Sequence, residues 1–227
     1  MKKICLTFSF LLVVIQVGAQ HINSGPQDAP QVGSAINIAV AQNDENLADE
    51  FFEDAERNEK RGDLNEALTL FGKAAFEYNN ERKFSRYGAT LLRMSNIHLL
   101  LTRYTEAEQV ILNAALKTYS KIGSRAGQMA SYNQLGKIYL AANKFTQSMW
   151  FYTQQGILAR QLGNNTSYID SVIGLALVKI KKREYTLASR DLNRAELLAK
   201  TSKITQFNQQ IKANRSIIAE KQAAKKL

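Results

Sequence analysis

Two histidines, one cysteine and twenty carboxylates are the groups from which this 227-residue chain could build catalytic or metal chemistry. General acid–base work needs a titratable group within hydrogen-bond reach of a partner that orients it. Neither His21 nor His98 has a serine, carboxylate or metal ligand at a useful spacing. Cys5 stands alone inside an apolar amino-terminal run, so neither a disulfide nor a cysteine-based metal site is available. No glycine-rich phosphate loop follows a strand pattern. The expectation is a protein that is not an enzyme and holds no cofactor and no metal.

Charge is the second chemical resource. The formal net charge is +10, unevenly distributed. Between Asp44 and Arg82 twelve acidic side chains face five basic ones, a balance of −7. From Lys83 to the end seven face twenty-three, a balance of +16. A basic portion of this kind attracts acidic proteins, anionic glycans or lipid headgroups. An acidic start and a basic end also admit head-to-tail self-association.

The amino terminus reads as an export signal. Lys2 and Lys3 precede an apolar stretch from Ile4 to Val17, and Val17-Gly18-Ala19 sets modest side chains before Gln20. The run is shorter than the roughly 20 residues of a comfortable membrane span. Residues 1–19 are therefore expected to be a cleaved signal peptide, cut between Ala19 and Gln20, in a periplasmic or secreted protein. An uncleaved anchor is the alternative. Export disfavours nucleic acid as a partner. Residues 20–46 hold both prolines, Pro26 and Pro30, and read as a flexible linker.

The elements that would position any site are helices, and they repeat. Small residues recur at Ala55, Ser95, Gly136 and Ala176, and again twelve positions on at Ala67, Ala107, Ser148 and Ala188. Four further on stand Phe71, Ile111, Tyr152 and Leu192, and three beyond these Ala74, Ala114, Gln155 and Ala195. The register advances by 40, 41 and 40 residues. Antiparallel helices approach closely only where side chains are small, so each pair of small positions marks a helix crossing, and the large residue fills the gap beside it. Turns are expected at Arg61-Gly62-Asp63, Leu101-Thr102-Arg103, Ala142-Asn143-Lys144 and Lys181-Lys182-Arg183.

This pattern resembles the tetratricopeptide repeat family over about residues 47–200. It is closest in the stretch from Arg61 to Phe71 and in Tyr132-Asn133-Gln134-Leu135-Gly136-Lys137-Ile138-Tyr139. The period near 40 exceeds the family's 34, so each helix should be longer by roughly a turn. The family's proline at the repeat end is absent, and Gln155 replaces a small residue. The resemblance implies an all-α solenoid of four antiparallel helix pairs in a right-handed superhelix. The pairs fall at about 47–82, 84–122, 125–162 and 165–201, within 47–202. Residues 203–227 are expected to form a capping helix, with Ile204, Phe207, Ile211, Ile217 and Ile218 as its apolar stripe.

The family's concave face implies a partner surface made of Phe52, Leu92, Asn96, Leu99, Asn133, Lys137, Leu140, Ile173, Leu177 and Lys181, with Glu56 and Ile180 beside them. The two asparagines would bond a peptide backbone and Lys137 would meet a carboxylate. The family's chaperone-tail clamp is not reproduced, since Phe52 and Glu56 stand at its first-repeat positions. His98 takes the slot that Tyr139 holds one repeat later, a position in the core or at its edge. Trp150 lies off the repeat core. The expected function is a scaffold binding a protein or peptide in the cell envelope. The alternative is a basic surface protein that associates with an anionic membrane or glycan.

Overall fold

The computed structural model describes residues 47–223, so the signal and linker readings lie outside the described residues. Within them the chain is helical, with no strand. The helices are α1 (Leu47–Arg61), α2 (Leu64–Asn80), α3 (Phe84–Leu100), α4 (Tyr104–Gln109) running through a π-helical turn (Val110–Ala115) into α5 (Leu116–Lys121), α6 (Arg125–Ala141), α7 (Phe145–Gln161), α8 (Asn165–Lys181), α9 (Tyr185–Thr201) and α10 (Asn208–Ala223). Each packs on its neighbours in sequence. The result is an α-solenoid of four antiparallel pairs closed by α10.

The stops are set by backbone chemistry. Except for α4, which runs on into α5, every helix from α1 to α9 ends at one residue with φ between 55° and 89°: Gly62, Arg82, Thr102, Gly123, Asn143, Gly163, Arg183 and Lys203. At each stop the next amide reaches back across the turn, as Lys83 N does to Tyr78 O at 2.9 Å and Lys144 N to Tyr139 O at 2.8 Å. This is the Schellman closure, which satisfies carbonyls the helix leaves open. The left-handed residues recur every 20 positions, except for 21 between Thr102 and Gly123. The module is therefore one helix plus one turn, half the period visible in the sequence.

The single 21 has a local cause. The segment from α4 to α5 holds one residue more than the 17 of α2, α3 and α6 to α9, and the π-helical turn absorbs it. Beyond that turn the register slips by one. Ala115, not Ala114, is the fully buried counterpart of Ala74; Ala114 is only partly buried. The sequence spacing had placed Ala114 there, on the assumption of an unbroken α-helix. The last turn lies one residue later than expected, since its left-handed residue is Arg183, the third of the three, and not the middle one as at Gly62, Thr102 and Asn143.

All eight small crossing positions are buried. At two crossings the helices touch through a hydroxyl. Ser95 Oγ donates to Ala107 O at 2.9 Å, and Ser148 Oγ donates to Gly136 O at 2.7 Å. Phe71, Ile111, Tyr152 and Leu192 are all buried beside them. Tyr152 lies flat between two helices: a Cβ added at Gly136 or Gly174 would meet its ring at 2.7 or 2.5 Å. Glycine at both positions is what admits a tyrosine there.

The capping helix differs from its expected stripe. Phe207, Ile211, Asn214 and Ile218 face inward, while Ile217 is 39% exposed and Ile204 partly buried. At 3.6 residues per turn, positions 207, 211, 214 and 218 share one face, and 217 falls beside it. The α10 helix packs on α9 and α8 as the first helix of a fifth pair would. Ser216, 40 residues after Ala176, stands exposed because no described helix follows to cover it.

Candidate functional site

The first helices of successive pairs, α3, α6, α8 and then α10, line a trough of three adjoining cavities. One of about 330 Å³ is bordered by Leu92, Met129, Asn133, Gln134, Gln155 and Asp170. A second of about 350 Å³ shares Asn133 and Asp170 and adds Lys137, Leu140, Leu177 and Lys181. The third, of about 630 Å³, shares Leu140, Leu177 and Lys181 and extends to Ile180, Arg183, Tyr185, Asn214, Ile217 and Lys221. Six of the ten residues expected on a concave face, Leu92, Asn133, Lys137, Leu140, Leu177 and Lys181, border this trough.

The other four do not. Ile173 is fully buried within the cluster of Val172, Ala176, Ala188 and Leu192, so it is a core residue and not the concave-face residue that the resemblance implies. One position on a helix separates core from trough, and an isoleucine suits either. Phe52 turns edge-on to Phe71 with centroids 5.2 Å apart, and packs with the first pair's core. Leu99 packs against the cluster around Leu91, Ile111 and Leu135. Asn96 is half-buried and does not border the cavities. Glu56 is taken by Arg93 of α3 at 3.2 Å, and the same guanidinium reaches Glu59 at 2.7 Å.

Asn133 is less available than a free amide. Its Nδ2 donates to Asp170 at 2.5 Å and to Gln155 Oε1 at 3.1 Å, and Gln155 Nε2 donates to Asp170 at 3.0 Å. Gln155, read in the sequence as a lapse from the small-residue pattern, is 2% exposed and holds this network between α6, α7 and α8. Asp170, Gln134 and Asn214 were not anticipated. The signal was present: Gln134, Gly174 and Asn214 are spaced by 40, one repeat position three times over. The other members of this series are Glu53 and Arg93.

The trough cations are notable for what they lack. Lys137, Lys181, Arg183 and Lys221 have no carboxylate partner among the described residues, whereas Lys179 pairs with Asp191 at 2.5 Å and Lys182 with Glu184 at 2.6 Å. Elsewhere, burial alone pushes the Tyr119 phenol up to about 12. His98 is held below its ordinary value by burial, opposed by Glu106 and reinforced by Arg103, and its Nδ1 has no partner. Trp150, 52% exposed, stands edge-on to Phe151 at 4.6 Å and does not border the trough. No group of three His, Cys, Asp or Glu that could hold a metal occurs among the described residues. No helix among them is long and apolar enough to cross a membrane.

No family model and no curated protein matches the sequence. Solved structures do match the fold. One is a crystal structure of nearly identical TPR-like repeats from a proposed Podosopora anserina kinesin light chain. It matches at a TM-score of 0.58 and 14% identity over 82% of this chain and 99% of that one. A single-substitution variant of the same repeats matches at the same TM-score and identity, over 78% of this chain and 95% of that one. The fold is thus that of a TPR-like repeat solenoid.

Proposed function

We propose that this protein is an exported scaffold that holds a protein or peptide of the cell envelope in the trough along α3, α6, α8 and α10, without catalysis. The observation that carries the reading is the continuity of three cavities along equivalent helices, walled by leucines and rimmed by unpaired lysines. Grooves of this kind bind a segment through apolar anchors and use polar groups for orientation.

Two measurements test it. Crosslinking in intact cells followed by mass spectrometry should identify a partner that Lys137→Glu combined with Lys181→Glu fails to retain. Both lysines are exposed, so the variant keeps the fold. Retention of the same partner would move the contact elsewhere. Amino-terminal sequencing of the protein from the envelope fraction should begin at Gln20. An intact Met1 in the soluble cell interior would end the export part of the reading.

A further inference from the structure

The 630 Å³ cavity between α6, α8 and α10 has a composition that selects among peptides. Its walls are Leu140, Leu177, Ile180 and Ile217. Ile217 is an isoleucine left 39% exposed beside the covered inward positions of α10. Lys181, Arg183 and Lys221 stand around it without carboxylate partners among the described residues. At its floor is Asn214, 5% exposed, on the stripe of α10 where an apolar side chain would pack, and its Nδ2 has no hydrogen-bond partner. A buried amide donor left open costs stability unless something else accepts from it. Two repeats earlier, at the same repeat position, Gln134 is 7% exposed, borders the first cavity and also has an unpartnered Nε2.

We propose that this cavity seats an acidic segment of the partner. One bulky apolar side chain enters between Leu140, Leu177 and Ile217, a backbone carbonyl accepts from Asn214 Nδ2, and adjoining side-chain carboxylates meet the three cations. The proposal rests on the scaffold reading and narrows it to one ligand chemistry. Charge complementarity names the acid, the wall names the apolar anchor, and the buried amide names the carbonyl. A planar membrane surface cannot enter a concavity, and a glycan offers no apolar side chain to the leucines.

The test uses the full chain and fluorescein-labelled twelve-residue peptides, acetylated and amidated so that no terminal carboxylate contributes. One carries a central Leu-Phe pair among Glu and Asp. The second replaces the acids with Lys, and the third replaces Leu-Phe with Ser-Ser. By anisotropy the first should bind at least about tenfold tighter than the others, less so at high salt. Asn214→Leu should weaken that binding about tenfold while raising Tm, because it removes an unsatisfied buried donor. A purely structural asparagine would lose Tm and leave affinity alone, which overturns the assignment. Ile217→Ser and Arg183→Glu with Lys221→Glu, all at exposed positions, should each weaken binding in a folded protein. If instead the peptide binds and only Lys137→Glu weakens it, the trough stands and this cavity is the wrong seat. Should no peptide bind while phosphatidylglycerol vesicles do, the acidic-segment assignment falls, and the crosslinking result decides the scaffold reading separately.

Discussion

Two ends of the described solenoid treat one repeat position in opposite ways. On α3 that position is Arg93, whose guanidinium spans to Glu59 at 2.7 Å and Glu56 at 3.2 Å on α1 and lies 5.7 Å from the centre of the Phe71 ring. Nearby, Arg86 reaches Asp49 at 2.8 Å. The acidic first helix and the cations of the second pair thus neutralise each other. On α6 and α10 the same position is Gln134 and Asn214, and the cations beside Asn214 have no acids to meet among the described residues. Where the chain supplies both charges, α1 and α3 are clamped to each other. Where it supplies one sign, the surface is left for something else. The charge split of −7 and +16 therefore coincides with the difference between a self-paired start and an unpaired end.

The largest effect expected from this contrast comes from removing the clamp. Arg93→Leu should destabilise the chain by about 2 kcal/mol, since Glu59 is left largely buried without its partner while the half-buried Glu56 loses less. Calorimetric or denaturant melts would show it. The equivalent exchange at Asn214 should have the opposite sign. If both variants lost stability alike, the two ends would be equally self-satisfied, and the comparison would fail.

A smaller effect is expected at the helix stops. Thr102 is a β-branched residue at φ 57°, a conformation in which Cβ crowds the following carbonyl. It is exposed and makes no packing contribution that glycine would forfeit. Thr102→Gly should raise stability by about 1 kcal/mol, whereas Gly62→Thr at the equivalent stop should lower it by a similar amount. Both stops lie in the clamped half, so neither change should alter binding in the open half. A change in affinity would mean that the halves are coupled.

The helix-pair architecture was legible from four tiny residues and their partners, because close crossing leaves a compositional mark in every repeat. The 20-residue module was not, because its left-handed stop accepts Gly, Arg, Thr, Asn and Lys alike, and a backbone conformation shared by five residue types has no letter of its own. Six of the residues that border the trough were legible by carrying positions from one helix to the next. Ile173 was not separable from it, since one position along a helix turns a side chain from trough to core and isoleucine suits both. Asp170 and Gln155 escaped because their value lies in a network across three helices, which spacing along one helix does not reveal.

The smallest expected effect is the least intuitive. Between Thr102 and Gly123 the module is 21 residues long, and Ile111, Ala115 and Tyr119 stand where the first pair has Phe71, Ala74 and Tyr78. The spacings are four and eight instead of three and seven, so the surplus residue lies between Ile111 and Ala115. Asn113 in that interval is exposed. Deleting it should convert the π-helical turn into regular α-helix and restore the three-and-seven spacing. Tyr119 would stay against Gly88 and Gly127, where an added Cβ would overlap its ring. A one-residue deletion inside a packed helix ordinarily rotates everything beyond it by about 100° and unfolds the unit. Here the change in stability should stay within about 1 kcal/mol, because the bulge holds a stored register shift that the deletion cancels. Deleting Lys117, also exposed but beyond the bulge, should by contrast turn Tyr119 out of its slot and unfold the second pair. Equal losses for the two deletions, read from melts side by side, would show that the π-helical turn is not the seat of the extra residue.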